Sequence, residues 1–327
     1  MKWTNKPAKV NSLTDVYKKN LKIGIRSSSE FEKKLLATHG VNVGLKCGHS
    51  CYYCFTPSLI RTHYAFKEIG RSPYENNYSI VDPESVSRIS KDVKKVDKND
   101  TVMLCTYSDA WAPESKKYNL GRKILETLLE KSDSKVRALT KNAEIRKDYD
   151  IIKKYPDRVM VGFSITAPSY KNAARILEPY ASTNRERISA LLEAHKNGLR
   201  TYAMFCPIIP GMASSKTDLE KMFSSVLPAE PEDIWLEPVN ARGPVLKKTS
   251  DVLRKNGYTG MAKRVDNIRH RRHWSQYAIA LVQNALDIAE EFNVLSKLHI
   301  LLYAKPFGEK AVNSLKKIDK NENIVWL

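Results

Sequence analysis

No apolar run in this sequence is long enough to cross a membrane. The longest, at 277–282 and 300–303, fall far short of the ~20 residues a membrane helix needs, so no membrane partner is expected. The charged start at 1–6 has no apolar segment behind it, so secretion is not expected and a reducing cytoplasm is the default location. The five cysteines are therefore expected as thiols, not disulfides. Internal repeats beyond a β/α alternation, low-complexity tracts and recognisable linkers are also missing, which excludes solenoid and fibrous classes. Acidic residues are in short supply: 36 stand against 55 Lys and Arg, for a net charge of +19. That imbalance favours a polyanionic partner, nucleic acid first, through counterion release and long-range steering. The charge is dispersed. Pairs such as Lys33-Lys34, Lys153-Lys154 and Lys247-Lys248 read as solvated faces, and the densest run is Arg269-His270-Arg271-Arg272.

What remains is a globular chain of 327 residues with 42% apolar and 28% charged content, enough for two domains or one large α/β unit. Short β-like runs at 41–46, 101–105, 136–140, 158–166, 199–206 and 233–238 alternate with amphipathic helical stretches, the pattern of a parallel sheet built from βα units. A helix is expected from Asp82 as N-cap with Pro83 at its first position, another along Leu120, Ile124, Leu125 and Leu128, and another ending at Asn197-Gly198. Right-handed crossovers would roll six such strands into a partial (β/α)6 TIM-like barrel, whose chemistry sits at the strand C-termini. After Pro238 the alternation weakens. Residues 240–255 read as irregular, with Gly243-Pro244 as a turn. Trp274, Tyr277, Ala278, Leu281, Ala285, Ile288 and Phe292 then recur at helical spacing, and a strand-like run follows at 297–303. The expected organisation is a basic N-terminal segment at 1–40 that contributes a helix, a core barrel at 41–240, and a C-terminal α/β extension at 241–327 lying over one rim.

Three cysteines crowd into Cys47-Gly48-His49-Ser50-Cys51-Tyr52-Tyr53-Cys54, a C-x3-C-x2-C pattern on a loop directly after the first expected strand. Three thiolates so spaced can hold three irons of a 4Fe-4S cluster and leave the fourth iron open to a substrate or cofactor. The alternatives are a structural zinc site that recruits His49, or a cysteine-rich loop without metal.

This motif, opening a βα array, resembles the radical S-adenosylmethionine superfamily over roughly 41–240. Within it the chain is similar to the spore photoproduct lyase group, often labelled DNA repair photolyase-like. Leu139-Thr140-Lys141-Asn142, Phe163-Ser164-Ile165-Thr166, Leu177-Glu178-Pro179 with Arg185 and Arg187 behind it, and Pro207-Ile208-Ile209-Pro210-Gly211 carry that similarity. The resemblance implies a 4Fe-4S cluster on Cys47, Cys51 and Cys54, with S-adenosyl-L-methionine chelating the open iron, and reductive cleavage to a 5′-deoxyadenosyl radical that abstracts hydrogen from a substrate. It places Phe55 near the adenine, and Ser108, Lys141 and Ser164 near the amino acid or ribose part of the cofactor. It gives Cys105 the role of returning a hydrogen atom to the substrate radical, although Cys105-Thr106-Tyr107-Ser108-Asp109 is one residue longer than the group's motif. A buried core thiol is the other reading of Cys105, and packing is the expectation for Cys206. Asp109 and Glu114 are expected to shape the cofactor site. Glu178 and Arg185 are expected either to form a buried ion pair or to bind the cofactor, while His49 and His63 are expected to be structural or exposed. The implied substrate is a nucleobase in DNA or RNA, with an electron donor such as flavodoxin or ferredoxin as second partner. The competing functions are radical modification of a peptide, protein or small metabolite, and a nonenzymatic zinc- or cluster-bearing nucleic-acid-binding protein.

Overall fold

A computed structural model describes residues 8–11, 14–104 and 106–327; Cys105 lies outside the described residues. The strands are β1 (Ala8–Asn11), β2 (Thr14–Lys18), β3 (Arg26–Ser27), β4 (His39–Val41), β5 (Gly44–Lys46), β6 (Tyr78–Val81), β7 (Thr101–Leu104), β8 (Lys135–Thr140), β9 (Val159–Ile165), β10 (Arg200–Ile208), β11 (Asp233–Pro238), β12 (Leu298–Leu302) and β13 (Ile324–Trp326). The main sheet runs β13-β12-β11-β10-β9-β8-β7-β4-β3, parallel from β4 to β13 with only β3 antiparallel at its edge. A small sheet, β1-β2-β6-β5, stands beside it.

Both faces of the main sheet are covered, so its central strands read as unbroken apolar runs; every residue of β9 is buried. The period of two splits them cleanly. Val159, Val161, Phe163 and Ile165 face the helices, in one core with Ile124, Leu125, Leu191 and Phe223. Met160, Tyr202, Met204, Trp235 and Leu301 turn to the other face and form a second core, against Leu36 and Ala37. Gly162 belongs to this second face, and any side chain there would collide with the Tyr202 ring.

Five of the expected strands are present, and the first is divided. Val41 ends β4, and Asn42 breaks the strand because its side chain serves the next loop, with Nδ2 donating to Thr106 Oγ1 at 2.5 Å and Oδ1 accepting from Tyr107 N at 2.6 Å. Gly44 then opens β5, which leaves the main sheet to pair with β6; a Cβ at Gly44 would strike the Ile80 carbonyl. The helix expected from Asp82 starts later, at Ser85–Asp92, because the Asp82 carboxylate is taken up by Leu21 N at 2.8 Å and by Arg88. The N-terminal helix is short, Ser29–Lys33.

The expectation of an irregular 240–255 is corrected: Val245–Lys255 is a helix. Its buried stripe is Val245, Leu246, Thr249, Ser250 and Leu253, and the two hydroxyl residues hide the apolar period. They tolerate burial by bonding within the helix, Thr249 Oγ1 to Val245 O at 2.8 Å and Ser250 Oγ to Lys247 O at 3.0 Å. The C-terminal segment also does more than cover a rim, because β12 and β13 continue the main sheet. The helix Arg271–Glu291 packs Trp274, Ala278, Leu281 and Ala285 into the same core as the barrel helices.

Candidate active site

The face of the sheet turned away from the helices carries the site by simple alternation. On β8 and just past its end, Arg137, Leu139 and Lys141 share that face; on β9, Met160, Gly162 and Ser164; on β10, Tyr202, Met204 and Cys206; on β11, Trp235 and Glu237. Deep in the sheet these positions are apolar or locked, as where Arg137 lies over the Tyr202 ring at 4.9 Å and pairs with Asp233 at 3.0 Å. At the C-terminal ends they become polar and line a cavity of about 170 Å³. Cys47, Cys51, Cys54, Phe55, Ser108, Lys141 and Ser164 all line it, so all the described candidates meet at one place. Cys105 cannot be placed, since it lies outside the described residues.

The cysteine loop is held from beneath by two carboxylates. Asp109 accepts from His49 Nε2 at 2.9 Å, Thr140 Oγ1 at 2.8 Å, Lys141 N at 2.9 Å and Trp111 N at 2.9 Å. Burial pushes this carboxyl up, but the hydrogen bond and charge of His49, helped by the two amides, outweigh it and hold it below the usual range. His49 is fully buried, with Nδ1 at 3.1 Å from the Tyr180 carbonyl. It therefore positions the loop between Cys47 and Cys51. Glu114 Oε1 accepts from Gly48 N at 2.8 Å, and a side chain at Gly48 would strike this carboxyl; burial pushes Glu114 up to about 7. Asp109 and Glu114 thus brace the cysteine loop, through His49 and Gly48.

The expected partnership of Glu178 with Arg185 is corrected. Glu178 pairs with Arg187, and the two side chains are 3% and 0% exposed. Tyr53 and Thr166 also donate to Glu178, and Arg187 donates to the carbonyls of Ser164 and Ser182 at 2.8 Å each. Arg187 lies one helical turn inside Asn184–Lys196 on its buried face, whereas Arg185 points outward. Spacing along the helix contained that signal.

Lys141 Nζ donates to the Cys206 carbonyl at 3.2 Å and sits 5.8 Å from the Tyr53 ring centre, fixing its cation at the cavity. Cys206 is not sealed in the core: it lines the cavity and donates to Glu237 Oε2 at 3.3 Å. Glu237 Oε1 is buried without a hydrogen-bond partner among the described residues. Sequence reasoning did not single out Glu237; the available signal was a carboxylate one residue before the end of an expected strand. His63, by contrast, caps the helix Tyr64–Ile69, accepting from Ala65 N at 3.2 Å.

The donor set fits a metal cluster. Burial, then Glu114 and the neighbouring cysteines, push Cys47 well above its ordinary value, and burial with Glu178 pushes Cys51 up to about 12. Three half-buried thiols side by side at one cavity ionise together only with positive charge among them. No three His, Cys, Asp or Glu side chains among the described residues converge on a single ion, whereas a 4Fe-4S cluster takes each thiolate on a separate iron.

The sequence profile of the Radical SAM superfamily matches residues 41–221. Two uncharacterized proteins are similar: one of Methanocaldococcus jannaschii, 27% identical over 54% of this chain and 62% of its own length, and one of Acidianus two-tailed virus, 27% identical over 64% of this chain and 70% of its own. Among solved structures, a spore photoproduct lyase variant superposes with a TM-score of 0.60 at 15% identity, covering 86% of this chain and 79% of that one. A second, with bound AdoMet and dinucleoside spore photoproduct, gives 0.53 at 14% identity, covering 73% of this chain and 66% of that one. The match therefore spans less than two thirds of the Methanocaldococcus protein and of that lyase chain, and the lyase likeness is one of fold. With more than half of its length matched by the superfamily profile, the chain belongs to the radical SAM superfamily, whose members use a 4Fe-4S cluster and S-adenosylmethionine.

Proposed function

We propose that this chain holds its cluster on Cys47, Cys51 and Cys54, binds S-adenosylmethionine along Phe55, Ser108, Lys141 and Ser164, and acts on a nucleobase in DNA or RNA in a lyase-type repair or modification. The observation that carries this reading is the convergence of those seven side chains on one cavity at the C-terminal ends of the parallel strands. When bound, the cluster and cofactor supply a 5′-deoxyadenosyl radical that takes a hydrogen atom from the substrate.

The chain's own side chains bind and orient. Lys141, anchored on the Cys206 carbonyl, offers a fixed cation to the cofactor carboxylate. Ser164 offers a hydroxyl at the end of β9, held by Arg187 through its own carbonyl. Ser108 Oγ already accepts from Val43 N at 3.3 Å and keeps its proton to donate. Phe55 presents an apolar ring for the adenine. Cys105 remains the candidate for hydrogen return: Cys105→Ala is expected to leave cofactor cleavage intact and divert the product.

A nucleobase substrate is supported by the net charge of +19 and by the fold's likeness to a lyase solved with a dinucleoside spore photoproduct. An electron donor of the flavodoxin or ferredoxin class and a cytoplasmic location complete the reading. The test is anaerobic: reconstitute with iron and sulfide, add dithionite and S-adenosylmethionine, and measure 5′-deoxyadenosine by chromatography. Product that vanishes in Cys51→Ala establishes the chemistry. Deuterium carried from labelled oligonucleotides into 5′-deoxyadenosine identifies the substrate class, and label arriving only from peptides or small metabolites would overturn it.

A further inference from the structure

A second, larger cavity of about 1000 Å³ opens beside the first. The two share Pro238 and Asn240 at the end of β11, so a molecule lying in the larger one is led to the cofactor cavity. Its walls carry Lys33, Arg61, Arg242 and Lys305, all exposed, and none in an ion pair with a described residue. Among the described lining residues the one acidic side chain is Glu30, which Lys34 holds at 2.9 Å. Tyr74 and Tyr303 add aromatic faces, and Arg242 lies over the Tyr303 ring at 5.0 Å. The wall is held in place: Gly243 turns back at φ +59 against Ser58 and Tyr74, and Lys248 donates to the Tyr74 carbonyl at 2.5 Å.

Three of the four cations, Lys33, Arg242 and Lys305, lie outside the 41–221 span of the superfamily match. This charge therefore comes from the chain's own flanking segments. The densest basic run in the sequence does not face this groove: Arg271 donates to the carbonyls of Lys305, Pro306 and Phe307 at 2.9, 2.8 and 3.1 Å, and Arg269 faces Asp266.

We propose that this groove binds a single strand of nucleic acid, its phosphates on Lys33, Arg61, Arg242 and Lys305 and its bases against Tyr74 and Tyr303, and delivers one base past Pro238 and Asn240 into the cofactor cavity. A cationic track with interleaved aromatic rings is how unpaired strands are held without sequence preference. A base must leave its stack to reach a buried reaction centre, and a groove of this size admits a strand of a few nucleotides but not a duplex. The inference rests on the nucleobase reading above and adds which form of nucleic acid enters and by which residues.

The test is fluorescence anisotropy of reconstituted protein with a labelled 12-nucleotide single strand, the matched duplex, and a polyglutamate peptide as a non-nucleic polyanion. Four phosphate contacts on a single strand predict a slope of log affinity against log salt of about −3, at about −0.7 per contact. The triple variant Lys33→Glu, Arg242→Glu, Lys305→Glu is expected to lose at least 100-fold in affinity and most of that slope. The triple variant Lys153→Glu, Lys154→Glu, Lys196→Glu, at exposed positions just before β9 and β10 at the opposite end of the strands, is the charge-matched control and is expected to bind within about threefold of wild type. Equal losses in the two variants, absence of strand binding, or duplex or polyglutamate bound as tightly as the strand would each overturn the proposal. Formation of 5′-deoxyadenosine by the wild-type protein, measured in parallel, reports the radical chemistry alone, so failure of the groove and failure of the enzyme reading are separable.

Discussion

The matched core at 41–221 and the segments flanking it share the main sheet and the apolar core on its helix side, yet they place charge in opposite ways. In the core, the carboxylates that brace the cavity are buried and held by partners: Glu178 by Arg187, Asp109 by His49, Glu114 by Gly48 N at 2.8 Å. In the flanks, Lys33, Arg242 and Lys305 stand exposed around an open groove. Buried, paired charges cannot respond to a substrate but hold geometry at a scale radical chemistry requires. Exposed, unpaired charges hold nothing in place and remain available to a polyanion. Under the proposed function, the core would position the cofactor and its flanks would capture the substrate.

The most severe way to break this division is Cys51→Ala, which should remove iron binding and take 5′-deoxyadenosine below detection, read by iron analysis and chromatography. Arg187→Met comes next. It strands a buried carboxylate and should cost about 3–5 kcal/mol in urea unfolding, while Glu178→Leu with Arg187→Met should recover most of that loss. On the flank, Trp274→Ala removes a 4% exposed ring whose Nε1 donates to Val239 O at 3.0 Å, at about 3 kcal/mol. Because Trp274 shares its core with the barrel helices, one cooperative transition should persist; two separate transitions would show that core and flank fold independently. Lys141→Met should weaken S-adenosylhomocysteine binding about tenfold by calorimetry, the value of one charge-assisted bond.

The smallest effect is a pH dependence. Burial would raise Glu178, but Arg187 and then Lys141 outweigh it and hold it at about 2, against an ordinary 4.5. A depressed carboxyl stabilises the fold fully above 4.5, and that contribution is lost as pH falls through the window down to about 2. The urea midpoint of wild type should therefore fall more steeply across this window than that of Glu178→Gln; parallel curves would sink the assignment.

The parallel strands were legible because a sheet covered on both faces demands continuous apolar runs, as at 159–165. The candidate site was legible where residue type and strand end coincide, at Lys141 and Ser164, and where thiol spacing carries its own chemistry. The division of 41–46 was not, because Asn42 breaks the strand through a loop more than sixty positions away in the chain. The helix Val245–Lys255 was obscured by Thr249 and Ser250, whose hydroxyls are satisfied within the helix itself. Glu237 was visible as a strand-end carboxylate but gained meaning only when β10 brought Cys206 beside it.

From the chain alone came the alternation of elements, the three-cysteine loop and the excess of positive charge, since each is written in local spacing or in a sum over residues. Folding alone decided which arginine meets Glu178, which of many cations border the cofactor cavity, and that the last two strands extend the sheet. Those outcomes depend on distances between residues remote in sequence, and only the packing of a common core sets them.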